Sequence, residues 1–199
     1  MRTQGRCLAM FSAAVVLPAA LWAADAAAPR EIDTQKSVMT VRVFKSGLFS
    51  AFGHEHEISA PLKQGNLSEK DRSVELTVDA RKLRVMDKDV SEKDRAEIQE
   101  TMLGPKVLDT GRFPEIRFRS TAVESNGEGR WTVRGDLTLH GQTRAIRLAG
   151  RGENGHYRGT AELKQTDFGI EPVSVGGGTV KVKDGLRVEF EIVAEAQRN

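Results

Sequence analysis

The chain is predicted to fold as an all-β, antiparallel barrel of about eight strands with one short helical insertion. Three observations predict it. Apolar and charged residues alternate with period two over most of the 199 residues, as in strands with one buried and one wet face. Turn residues recur at short spacing, as in hairpins. Only one segment carries helix caps, too little to cover a long sheet, so the sheet must cover its own apolar face. Closure into a barrel does so and removes the exposed edges. A two-sheet sandwich is the competing solution.

The first residues stand apart from this pattern. Arg2 and Arg6 precede an apolar stretch from Leu8 to Trp22, then Ala24-Asp25-Ala26 and Ala26-Ala27-Ala28, each of which fits a small-residue cleavage site. Residues 1–28 read as a cleaved secretory signal peptide, ahead of a single domain over 29–199. The expected location is the periplasm or the cell exterior; an uncleaved anchor is the alternative. Cys7, the only cysteine, leaves with the leader, so the exported domain has neither disulfide nor thiol chemistry. The formal charge of +2 falls to +1 because Arg2, Arg6 and Asp25 leave together. Such a balance gives no nucleic-acid footprint and no polybasic run for a membrane.

The domain opens with a strand inside Glu31–Lys45, with Met39, Val41 and Val43 on one face and Thr40 and Arg42 on the other. Ser46–Gly53 breaks the pattern as a turn or short helix. A strand over His54–Ala60 is stopped by Pro61, a weak one follows at Leu62–Leu67, and another carries Val74, Leu76 and Val78. Asp87–Gly104 is the helix, with Ser91 and Asp94 placed as a capping box and Gly104-Pro105 at its end. Its charged face is a solvated surface. Phe113–Leu148 has the clearest alternation in the chain: three strands with turns at Asn126–Gly129 and His140–Gln142. Glu153-Asn154-Gly155 turns into the strand of Tyr157, Gly159, Ala161 and Leu163. Gly176-Gly177-Gly178 lacks the helix a phosphate cradle needs and reads as loop. Lys183-Asp184-Gly185 is expected as a hairpin turn before a last strand with Leu186, Val188, Phe190 and Ile192 on one face.

Four stretches, PEIRFRS, GDLTLHGQTRAIRL, LKQTDFGI and VKDGLRVEFEIVAEA, resemble the YceI-like family over about Glu31–Ala196. The resemblance implies an exported, lipocalin-like, eight-stranded antiparallel barrel whose members include binders of polyisoprenoid or other long-chain lipids. It implies no catalytic mechanism and no cofactor, so the protein is expected to be a carrier rather than an enzyme. Two stretches depart from the family pattern: Asp33-Thr34-Gln35-Lys36-Ser37, where many members have a histidine, and FSAFGHEHEI.

An eight-stranded barrel either fills with its own side chains or holds one ligand. By alternation Val41, Val43, Leu76, Phe118, Val133, Leu137, Val188 and Phe190 face inward, joined by Trp131. From pattern alone these are equally an ordinary core. The resemblance makes them the walls of a tunnel for an isoprenoid or fatty-acyl chain, bound by apolar burial. Phe44, Phe49 and Phe52 are expected to border its entrance. His54 and His56, sharing a strand face with Ile58, are expected to meet the polar end of the ligand. The alternative for that pair is a metal ion, as in an exported metal-binding protein or metal-dependent enzyme, although no motif supplies the third ligand that zinc wants. His140 falls by parity on the outer face. Exposed strand edges allow a homodimer.

Overall fold

The computed structural model of the chain describes residues 29–46, 55–175 and 180–196. The expected signal peptide lies outside the described residues, as do Phe49, Phe52, His54 and the triple glycine. Chain order begins with a two-residue strand, β1 (Arg30–Glu31), and the long β2 (Val38–Ser46). Asp33 turns the chain between them, its Oδ1 accepting the N–H groups of Gln35 and Lys36, so the single strand expected there is two.

β3 (His56–Ser59) and β4 (Leu62–Ser68) follow. β3 stops before Pro61, as expected, and the chain passes there from one ladder to another. Proline has no N–H to give a ladder. The ladder with β2 ends at Ala60, whose N–H bonds the Met39 carbonyl at 2.9 Å. The ladder with β5 (Ser73–Asp79) starts at Leu62, opposite Val78. A short β6 (Arg84–Val85) pairs with β3. Helix α1 (Glu92–Leu103) guards that edge through Gln99, which accepts the Val85 N–H at 2.8 Å and donates to the Leu83 carbonyl at 2.9 Å. The Ser91 hydroxyl caps the helix by accepting the Asp94 N–H at 3.1 Å. The helix therefore starts later than Asp87, whose carboxylate is engaged by β3.

Four long strands come next: β7 (Glu115–Ser125), β8 (Arg130–Leu139), β9 (Gln142–Glu153) and β10 (His156–Lys164). The turns His140-Gly141 and Asn154-Gly155 have positive φ at both positions, the type I′ geometry that matches strand twist. β11 (Ser174–Val175) pairs with the start of β12 (Val180–Val193). Lys183-Asp184-Gly185 is not a hairpin turn: it lies within β12 as a register shift against β2. The Asp184 carboxylate instead accepts the N–H and hydroxyl of Thr166 at 2.9 and 2.8 Å, tying β12 to the 3-10 turn Gln165–Phe168.

All the pairings are antiparallel, in the order β1-β4-β5-β7-β8-β9-β10-β12-β2-β3-β6, with β11 beside β12. The path leaves from β4 and returns to β3, its neighbour in the chain, so the sheet curls round on itself into a barrel. β1 helps to close the seam, because Ile32 bridges Ala194 and the Asp33 N–H bonds the Val193 carbonyl at 2.8 Å. The sheet has twelve strands rather than eight. Eight form the wall if β3 and β4 count as one bent strand; β1, β6 and β11 are two-residue additions. Two ends can be distinguished. The upper carries the His140-Gly141 turn and the last residues of β10, and the lower carries the β4–β5 and Asn154-Gly155 turns.

Candidate functional site

The inward faces of the strands surround a cavity of about 270 Å³ that is lined almost wholly by apolar atoms. Val41 and Val43 of β2, Ile58 of β3, Leu76 of β5 and Phe118 of β7 line it. So do Trp131, Val133 and Leu137 of β8 and Val188 and Phe190 of β12. Period two brings them there, since every second residue of a strand faces the same way.

Two of the phenylalanines that line the lumen, Phe118 and Phe190, lie against glycine and so leave it open. A Cβ on Gly135 would come within 2.6 Å of the Phe118 ring, and one on Gly159 within 2.6 Å of the Phe190 ring. Each ring therefore lies close against the bare backbone of the neighbouring strand, an aromatic covering a strand glycine. With side chains at those positions either the strands would have to shift or the rings would have to move into the cavity.

The ends differ in chemistry. At the upper end Leu83, Met102, Leu108, Phe168 and Ile170 line the cavity and are all buried, Phe168 to 1% exposure. Helix α1, the segment after it and the 3-10 turn thus form an apolar plug. At the lower end Glu69, Arg72, Ser73 and Arg151 are exposed yet reach the cavity. There the Tyr157 hydroxyl donates to Glu69 Oε1 at 2.8 Å, and Arg30 pairs with the same oxygen at 3.1 Å. Arg30 also donates to the carbonyls of Glu195 and Ala194. Burial, then the bond to the Glu69 carboxylate, pushes the Tyr157 phenol up to about 12, so it keeps its proton past pH 10, where an ordinary tyrosine ionises. This clasp joins residues 88 positions apart and no local motif announces it.

Two expected site residues lie elsewhere. Phe44 is not a lumen residue: it shares the outer face of β2 with Arg42, and the Arg187 guanidinium sits 5.9 Å above its ring. His56 does not border the lumen either. Its Nδ1 is 2.6 Å from Asp87 Oδ2, and Asp87 Oδ1 accepts the Glu57 N–H at 2.8 Å. The Asp87 side chain is only 3% exposed, and Arg95 donates to its backbone carbonyl. The pair thus fastens the start of β3 to the segment before α1. Among the described residues no group of three or more His, Cys, Asp or Glu is placed to hold a metal ion. His140 is likewise not a free outer-face group: in its turn it bonds the Phe168 carbonyl at 3.1 Å and meets the Phe113 ring edge-on at 4.8 Å.

Comparison with known proteins agrees with this architecture. The model of the YceI-like domain matches residues 31–194. A UPF0312 protein from Shewanella denitrificans is 28% identical over 192 residues, covering 90% of this chain and 94% of that protein. A UPF0312 protein from Pseudomonas savastanoi pv. phaseolicola is 42% identical over 94 residues, 42% of this chain and 47% of the relative, so that match spans about half the relative's length. Among solved structures, BcnA of Burkholderia cenocepacia shares the fold with a TM-score of 0.60 at 19% identity, over 82% of this chain and 99% of that one.

Proposed function

This chain belongs to the YceI-like domain family, and we propose that it is an exported carrier that holds one long apolar chain, of isoprenoid or fatty-acyl type, in its barrel lumen. The family and its fold support a binding protein rather than an enzyme. The observation that carries the finer reading is the lumen: about 270 Å³, apolar along its walls, plugged at one end and bordered by polar groups at the other. Apolar burial supplies the affinity at about 25 cal/mol per Å², before the cost of ordering the chain. Nothing in such a site fixes a polar metabolite along its length. Carriage needs capture and release, with no bond made or broken.

The processed protein is taken to begin after residue 28 and to work in the periplasm or outside the cell. N-terminal sequencing of protein from the extracytoplasmic fraction tests this; an intact Met1 there refutes cleavage. The ligand test uses Trp131, the only tryptophan left once Trp22 departs with the leader. Mass spectrometry of organic extracts from natively purified protein is expected to find a co-purifying lipid. A prenyl or acyl probe added after delipidation is expected to change Trp131 fluorescence. No lipid and no fluorescence response together overturn the carrier reading.

A further inference from the structure

The outer faces of β8, β9 and β10 carry an arrangement that no linear run of the sequence reveals. Strand register sets Arg134 directly opposite Arg147, Arg130 opposite Arg151, and Arg151 opposite Arg158. All five are exposed. Like charges directly opposite on a sheet are destabilising, so three such contacts on one face run against the stability of the barrel.

Four other arginines of the wall are neutralised. Arg42 lies between Glu57 and Glu189, Arg187 pairs with Glu162, Arg119 with Glu75, and Arg117 with Glu115. On this face Arg130 and Arg134 have Glu128 and Glu124. Arg147, Arg151 and Arg158 make neither a side-chain hydrogen bond nor an ion pair among the described residues. Glu162, which continues the β9–β10 register opposite Arg147, is taken by Arg187, and Glu191 of β12, opposite Arg158, makes no ion pair with it among the described residues. Glu153, at the end of β9, is the acid next to Arg151 on that face. Three arginines without an ion-pair partner among the described residues thus lie on one side of a chain whose formal charge is only +2, with Asp136, Glu153 and Glu191 the acids on that side that they leave unengaged. Arg151 also borders the lower end of the lumen, so the basic face runs into the mouth of the cavity.

We propose that Arg147, Arg151 and Arg158 form a docking face for a bilayer containing anionic phospholipid, which sets the lower mouth of the lumen against the membrane surface. The inference rests on the carrier reading, because an apolar chain exchanged with a bilayer has to pass through a mouth held near it. Charge complementarity supplies the attraction, roughly fivefold in partitioning per arginine near an anionic surface. Continuity between the basic face and the mouth favours a bilayer over an acidic protein, which would have no reason to sit at the lumen.

The test is co-sedimentation of the processed protein with phosphatidylcholine vesicles, with and without phosphatidylglycerol, at low and high salt. The protein is expected to bind only the anionic vesicles and to be released by salt. The triple variant R147Q/R151Q/R158Q is expected to bind about a hundredfold more weakly, following the per-arginine factor. R147K/R151K/R158K, which keeps the charge, is expected to bind as the parent does. Absence of binding, equal binding to neutral vesicles, an unaffected glutamine variant, or retention by polyglutamate alone each overturns the proposal. Trp131 fluorescence with the acyl probe is read in parallel. The double variant R147Q/R158Q, which leaves the cavity rim untouched, is expected to take up the probe as the parent does while binding the vesicles about twenty-five-fold more weakly; parental vesicle binding by this variant also overturns the proposal. Vesicle binding by a protein that takes up no probe refutes carriage and with it the exchange role of the face.

Discussion

Single residues decide whether the lumen is open. Gly159 is the sharpest case, because a Cβ there would meet the Ala149 carbonyl oxygen at 2.2 Å and the Phe190 ring at 2.6 Å. Gly159→Ala therefore shifts the strand or drives the ring inward. It is expected to cost about 1–3 kcal/mol by overpacking and to weaken probe uptake; denaturant melts and Trp131 titrations read the two effects, and a fully stable variant with parental uptake contradicts the packing argument. Tyr157 offers a second residue-scale check because it is the only tyrosine in the chain. Ultraviolet titration is expected to show no ionisation near pH 10 and a midpoint near 12. Neutral Tyr157 is favoured by the fold, so its contribution to stability is complete below pH 10 and fades as pH rises toward 12. Glu69→Gln removes the second cause of the shift and is expected to lower the midpoint part of the way, leaving the effect of burial.

At the level of elements, the hairpins were readable and the junctions were not. β7, β8 and β9 follow from alternation plus turn residues, since each side chain's face depends only on its place in its own strand. The same rule placed Phe118, Trp131, Val133 and Leu137 on the wall and, applied to β2, sends Phe44 outward. Asp184-Gly185 shows why local reading fails elsewhere. Asp-Gly favours a turn, yet here the aspartate is held in a strand by Thr166, eighteen residues away. His56 with Asp87 and Tyr157 with Glu69 are likewise pairs made by the fold, so the site's ends were invisible while its walls were legible. The Asp184 contact is testable by pH. The Thr166 backbone N–H, then its hydroxyl, hold the carboxyl below its ordinary value of 3.8. A depressed carboxyl gives stability that is present above its unfolded value and lost as pH falls through the folded one. The melting temperature is expected to be steady above pH 5 and to drop below pH 4. Asp184→Asn is expected to lower it at neutral pH and to flatten part of the acid decline; an unchanged acid limb would remove this contact from the account.

For the whole molecule, the barrel resolves a conflict between filling a core and keeping a hole. An empty apolar lumen lacks the packing contacts that a filled one would have. The plug of Leu83, Met102, Leu108, Phe168 and Ile170 and the seam through Ile32 and Ala194 join the buried wall residues in one core around the lumen, and under the carrier reading the ligand completes that core. Occupancy should then act as part of the core. A ligand that binds only the folded state adds RT ln(1 + [L]/Kd) to stability. At a hundredfold excess over Kd this is about 2.7 kcal/mol, which for a domain of this size is roughly 5–10 °C in melting temperature. Delipidated protein is expected to melt lower than natively purified protein by an amount of that order. Adding a long-chain prenyl or acyl ligand should restore the difference, with the shift growing logarithmically with its concentration, while a short-chain homologue with less surface to bury should restore less. Equal melting before and after delipidation, with no response to added chains, would mean that the lumen is a tolerated void in a self-sufficient barrel, and carriage would have to be abandoned.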